Sequence, residues 1–238
     1  MDYQAVFKRF ELKYLLTQEQ RTRVLHAMEP YMALDQYGRS TIRNIYFDTD
    51  SYRLIRHSIE KPVYKEKLRI RSYRRARPDS LVYVELKKKY DAIVYKRRLP
   101  LSEAEAMEWV TGKRCGERSQ ISDEIDYFLA YYRTIHPALF LSYEREAYYC
   151  RQGGDFRVTF DDRILARQEE LSLDSEIWGV PLLEEGKTLM EIKCSGGIPL
   201  WMTQALSREK IYKTSFSKYG TAYQTMIYPR LQGGLLHA

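Results

Sequence analysis

The chain has 238 residues, a formal charge of +7, 44% hydrophobic and 30% charged residues. That length suffices for a sizeable core, the composition excludes a disordered chain, and no apolar run is long enough to span a bilayer. MDYQAVFKRF has no signal-peptide pattern, and Cys115, Cys150 and Cys194 fit neither a disulfide framework nor a zinc site. A reducing, cytoplasmic setting is therefore expected.

In chain order, short alternating segments bounded by turn residues predict strands at 7–15, 41–47, 65–75, 81–89, 92–99, 139–149, 156–161 and 188–194. Pro78-Asp79-Ser80, Tyr90-Asp91 and Gly153-Gly154-Asp155 read as hairpin connections. Thr17 with Gln20 forms a capping box ahead of Val24, Leu25 and Met28. Ser102 with Glu105 forms a second, with Gly112 as the stop. Ser119 opens a third helix striped by Ile125, Phe128, Leu129 and Tyr132, and Pro137 closes that region. Residues 199–209 and 216–228 predict two further helices. No linker, repeat or low-complexity block divides the chain, so one α+β domain over 1–238 with a large antiparallel sheet is expected.

The strands share a pattern. KEKLRIRSY sets Lys67, Arg69, Arg71 and Tyr73 against Leu68 and Ile70, and LVYVELK sets Glu85 and Lys87 against Val84 and Leu86. Glu11 and Lys13, Arg157, and Glu191 and Lys193 fall in the same way on the polar parity of their strands, while Lys96 and Arg98 share the parity of Val94. Arg145 is less clean, because it shares a parity with Tyr143 and Leu141. Each strand alone reads as an ordinary solvated face. Together the cations outnumber the acids, and arginine recurs, whose planar fork matches phosphate oxygens.

Helices packed over the apolar faces would leave the charged faces looking inward, giving a closed antiparallel barrel with a charged lumen. Unpaired buried cations cost several kcal/mol each, so such a lumen requires water and a polyanion. Glu11, Glu85 and Glu191 are then candidate ligands for a hard cation, with Glu85 equally readable as a salt-bridge partner of Lys87 or Arg69. His26, His57, His136 and His237 lack paired spacing and read as non-catalytic. Cys194 lies on an apolar parity and reads as core, as do Tyr219, Tyr223 and Trp201.

The ordered set FELKY, YFDT, LRIRSY, VELKKK, YKRR, SYEREAY, FRVTFDD, LMEIKC and FSKYGTAY resembles the VTC domain, the catalytic domain of the vacuolar transporter chaperone complex and its bacterial relatives, within the triphosphate tunnel metalloenzyme and CYTH superfamily. The resemblance runs over about residues 5–228. It implies a tunnel barrel that binds triphosphate with Mn²⁺ or Mg²⁺, and a polyphosphate polymerase that takes the γ-phosphoryl group of ATP and releases ADP. It places the tunnel cations on Lys13, Arg69, Arg71, Lys87, Arg98, Arg145 and Arg157, and phosphate contacts on Ser217 and Lys218, beside Lys96 and Lys193 of the polar rows. It places the metal on Glu191, and Glu11 matches a metal position of other tunnel enzymes.

Three departures are legible: RFELK at 9–13 replaces the ExExK of CYTH proteins, Ser215 stands where a Lys is expected, and no SPX-like or transmembrane segment is present. The expected partners are ATP and polyphosphate or triphosphate, not nucleic acid, with association to a membrane partner left open. A triphosphatase on the same barrel and a non-catalytic polyanion-binding module are the competing readings.

Overall fold

The computed structural model describes residues 10–235 apart from 92, 114 and 117. Arg9, the start of the first predicted strand and His237 lie outside the described residues. The elements are β1 (Phe10–Thr17), α1 (Gln18–Met28), β2 (Met32–Leu34), β3 (Ser40–Asp48), α2 (Arg53–Ile59), β4 (Tyr64–Ser72), β5 (Leu81–Tyr90), β6 (Ile93–Ser102), α3 (Glu103–Val110), α4 (Gln120–Tyr132), β7 (His136–Cys150), β8 (Arg157–Arg167), β9 (Val180–Pro181), β10 (Lys187–Cys194), α5 (Leu200–Arg208), β11 (Lys213–Thr214), α6 (Lys218–Ala222), a π-helical turn (Tyr223–Ile227) and α7 (Tyr228–Leu235).

The chain divides into two compact units, each assembled from separate segments. One comprises residues 1–41, 143–164 and 181–216. Its strands run in the order β11-β1-β10-β8-β7, with β2 on β7. Alternation explains its core: Tyr14 and Leu16 of β1, Val158 and Phe160 of β8, and Met190 and Ile192 of β10 pack with Val24 and Met28 of α1 and Met202 and Leu206 of α5. Thr17 and Gln20 form the predicted capping box that starts α1. Cys194 is buried in this core, as its parity predicts, and Cys115, Cys150 and Cys194 form no disulfide with one another.

The other unit comprises residues 42–142, 165–180 and 217–238, with strand order β7-β3-β4-β5-β6. The paired strands β3, β4, β5 and β6 are all antiparallel. Leu68, Ile70, Val82, Val84 and Leu86 are fully buried beneath Ala106, Trp109 and Val110 of α3 and Ile125 and Phe128 of α4. Helices thus cover the apolar strand faces in each unit, as expected. Both predicted caps, Ser102 with Glu105 and Ser119, are present, the latter paired with Ser122. Gly112, at φ +126, follows α3 where a residue with a side chain would be strained.

Closure of the sheet differs from expectation. Pairing ends at β11 in one unit and at β6 in the other, and among the described residues neither edge carries a further ladder. Among the described residues the hydrogen-bonded ladders therefore do not close on themselves, and the expected closed barrel is not seen. At two residues, β11 is too short to template another strand. On β6, Pro100 has no N–H to donate to one.

Pro137 also differs. It lies inside β7 next to its first residue, where a missing N–H is tolerated, rather than marking a stop. The predicted helix over 216–228 is α6 followed by a π-helical turn, and α7 continues beyond its predicted end.

Candidate functional site

Strand register, invisible in a single strand, builds the cation cluster. β4, β5 and β6 align Arg69 with Glu85 and Glu85 with Arg98, so one carboxylate stands between two guanidinium groups. One step along, Lys67, Lys87 and Lys96 form a second row that contains no acid. Glu85 is 1% exposed. Its Oε2 accepts from Arg69 (Nη2, 2.7 Å), with Arg71 at 3.8 Å, and its Oε1 takes Lys96 (2.7 Å) and Arg98 (Nη2, 2.6 Å).

Burial alone would push the Glu85 carboxyl up, but Arg69, Arg71, Lys96 and Arg98 outweigh it and hold the group far below the carboxylate range. Burial, reinforced by Arg98 and Arg71, pulls Lys96 down to about 8 against the opposing attraction of Glu85. Four cations therefore share one carboxylate on a half-buried surface. This geometry accounts for the tolerated Arg-Ile-Arg sequence: Glu85 neutralises part of the charge.

Neighbours that sequence reasoning did not single out orient the arginines. Arg69 donates to the Tyr46 hydroxyl (2.9 Å) and Arg71 to Asn44 Oδ1 (3.0 Å). Arg98 donates to the Tyr73 hydroxyl and lies 4.2 Å from the Tyr83 ring centroid. The signal was the parity of β3, on which Asn44, Tyr46 and Asp48 fall together.

Buried Asp48 accepts hydrogen bonds from the N–H groups of Leu54 (2.9 Å) and Ile55 (3.0 Å) at the start of α2, and from the Tyr219 hydroxyl (2.9 Å) of α6. Ser217 caps α6 through the Gly220 N–H and accepts from Lys67 Nζ (3.2 Å). Lys218 beside it is buried. The same unit thus joins Ser217 to the lysine row.

In the other unit, Lys13, Arg145, Lys193 and Glu191 converge. Glu191 is 5% exposed and lies 3.6 Å from Lys13, 3.8 Å from Arg145 and 3.9 Å from Lys193. Lys13 also donates to the Phe216 carbonyl (2.7 Å). Arg145 forms a two-pronged bond with fully buried Asp161 (2.6 and 2.7 Å) and lies along the Tyr143 ring. Burial opposes the Arg145 charge, yet Asp161, with Tyr143 and Glu191, raises its pKa well above the usual guanidinium value. Asp161 was missed because FDD reads as a strand end. Glu11 stands opposite Lys193, and Lys193 opposite exposed Arg157. Arg157 is thus at the end of the β8 row, beyond Thr159.

Among the described residues no three His, Cys, Asp or Glu side chains group as a ready-made metal cage. The Glu191 environment nevertheless fits a hard cation that brings phosphate oxygens with it, because Mg²⁺ is commonly held by one or two carboxylates plus substrate phosphates. Thr159, directly opposite Glu191 on β8, has a buried hydroxyl with no hydrogen-bond partner among the described residues, an unmet need of the kind an additional ligand satisfies. Glu85 fits less well, since cations occupy both of its oxygens.

His26, His57 and His136 lie beside Glu29, Glu60 and Asp50 in exposed pairs. Buried Arg43 and Arg167 serve another purpose, donating to carbonyl groups at 169–178.

Two solved structures share the fold that these elements define. A candidate adenylate cyclase from Bacillus halodurans is 17% identical with a TM-score of 0.53, over 87% of this chain and 92% of that one. A candidate adenylyl cyclase from Hippeastrum, reported with a dominant triphosphatase activity, is 15% identical with a TM-score of 0.55, over 90% of this chain and 94% of that one. No curated protein sequence matches significantly. The VTC domain model matches residues 8–227. The chain belongs to the VTC domain family. Among the described residues, no helix is long and apolar enough to cross a membrane.

Proposed function

We propose that this protein is a metal-dependent polyphosphate polymerase that transfers the γ-phosphoryl group of ATP to a polyphosphate end. The observation that carries the reading is the sharing of buried Glu85 by Arg69, Arg71, Lys96 and Arg98, together with membership of the VTC family. In the reaction the bond from the γ-phosphorus to the β,γ-bridging oxygen breaks, a bond to an oxygen of the acceptor phosphate forms, and ADP leaves.

Phosphoryl transfer demands positioning and charge stabilisation more than covalent help from the protein. In this reading Arg69, Arg71 and Arg98 grip equatorial phosphate oxygens, with Lys87 and Lys96 adding charge along the row. Lys67 and Ser217 hold the neighbouring phosphate, and buried Lys218 supports that end. Lys13, Arg145, Arg157 and Lys193 supply the same chemistry in the other unit. Glu191, with Glu11 and Thr159 as further oxygen donors, is where Mn²⁺ or Mg²⁺ carried by the phosphates would be held; the metal neutralises developing charge. A phosphate acceptor is already anionic, so no histidine base is required.

Transfer to water would make the same residues a triphosphatase, a reading favoured by the fold shared with the Hippeastrum protein. Incubation with ATP and Mn²⁺, followed by gel analysis, separates the two. Long chains are the expected product; orthophosphate alone, across metals and phosphate primers, would reject the polymerase. Arg69→Ala combined with Arg71→Ala is expected to abolish either activity while the circular dichroism spectrum is retained. Glu191→Gln is expected to lower turnover at least 100-fold and to weaken the metal dependence. Tripolyphosphate binding without turnover under any of these conditions would instead support a binding module.

A further inference from the structure

A second feature lies on the opposite face of β4 and β5 from the cation rows. Glu66 and Lys88 are register partners on the parity of Leu68 and Leu86. Over this pair opens a cavity of about 420 Å³, walled by Arg53 and His57 of α2, Tyr64 of β4, and Tyr127, Tyr131 and Tyr132 of α4. Its size falls in the usual range for small-molecule sites, roughly 300–1,000 Å³. None of the residues of the Glu85 cluster lines it.

The lining is an unusual mixture. Tyr127 and Tyr131 are 72% and 55% exposed, yet their rings stack at 21° with centroids 6.4 Å apart. The Arg53 guanidinium stands 5.6 Å from the Tyr131 centroid and 5.4 Å from that of Tyr132, and makes no ion pair among the described residues. The cavity's one acid is already committed: Glu66 accepts the Tyr64 hydroxyl on Oε1 (2.5 Å) and the Tyr132 hydroxyl on Oε2 (2.9 Å). These bonds turn both phenol oxygens toward Glu66. Aromatic faces and a guanidinium fork remain for a ligand, with the Lys88 ammonium 3.6 Å from Glu124.

A cationic ligand is disfavoured by Arg53 and Lys88, and an inorganic polyphosphate gains nothing from tyrosine faces. The geometry points to a binding site for a nucleoside monophosphate, its base packed on the α4 tyrosines and its phosphate on Arg53 and Lys88. Base–aromatic stacking is sequence-tolerant and worth about 1–3 kcal/mol per base, and arginine suits phosphate oxygens. The site is separate from phosphoryl transfer and does not rest on that reading.

AMP, titrated into the full-length protein by calorimetry, tests it. Saturable binding is expected that an excess of tripolyphosphate leaves in place. Arg53→Gln and Tyr131→Ala, both at exposed positions, are each expected to weaken AMP by at least tenfold without moving the melting temperature, and ribose 5-phosphate should bind at least tenfold more weakly than AMP. Any of four results would overturn the site: no saturable binding, displacement of AMP by tripolyphosphate, affinities unchanged in both variants, or ribose 5-phosphate equal to AMP. Because the competition arm uses the unmodified protein, it decides even if a variant fails to fold.

Discussion

Glu85 shows how one residue can hold a surface that its neighbours would otherwise disrupt. Removing its charge leaves Arg69, Arg71, Lys96 and Arg98 facing one another. Breaking one partner of a buried ion pair costs about 3–5 kcal/mol, so Glu85→Gln is expected to lose that much in urea unfolding and to recover part of it with tripolyphosphate. The Glu85 pKa lies below its unfolded value of 4.5. Its contribution is therefore complete above about pH 4.5 and lost as the solution is acidified below it. Lys96 behaves in the opposite sense. Its folded pKa of about 8 lies under the unfolded 10.5, so between these values the unfolded chain holds more protons, and this group favours folding as pH rises. A bound polyanion restores the proton. Calorimetry in buffers of different ionisation enthalpy at pH 9 should show proton uptake on binding tripolyphosphate, and affinity should fall as pH rises through 8; Lys96→Gln should abolish the uptake.

At the scale of elements, the legible parts were those in which one strand carries its own signal. β4, β5 and β10 alternate cleanly, and three helices begin at readable caps. What escaped depends on partners distant in sequence. The Arg69–Glu85–Arg98 row exists only through register, and β2, β9 and β11 have two or three residues each, too few for a period. α2 was hidden because its N-cap, Tyr52, sits at φ 56 without a side-chain cap, and Asp48 serves its N–H groups from the end of β3. Pro137 misled because its position at a strand's start removes its usual penalty. Asp48 also holds Tyr219, two residues from Ser217. Tyr219→Phe deletes that bond alone and is expected to destabilise by about 1 kcal/mol, with a several-fold loss of tripolyphosphate affinity. An unchanged affinity would show that Ser217 and Lys218 do not need this anchor.

For the whole molecule, the excess of seven positive charges sets how stability should respond to anions. A ligand at 100 times its dissociation constant adds about 2.7 kcal/mol, which in a chain of this size corresponds to a rise of about 5–10 °C in Tm. Tripolyphosphate should produce that rise, sulfate less, and the Arg69→Ala, Arg71→Ala variant little. Equal rises in the variant and the parent would place the binding elsewhere.

β1 pairs with β10 from Phe10 opposite Cys194 to Thr17 opposite Lys187. On the ribosome, β1 emerges long before its partner has been synthesised, and its hydrogen-bonding edge must wait for nearly the whole chain. Loop closure over such a span is slow, and an unpaired edge invites association with other chains. The unit containing β1 is thus committed to completing its fold late in synthesis, and nascent chains halted before residue 187 should be protease-sensitive throughout 10–17.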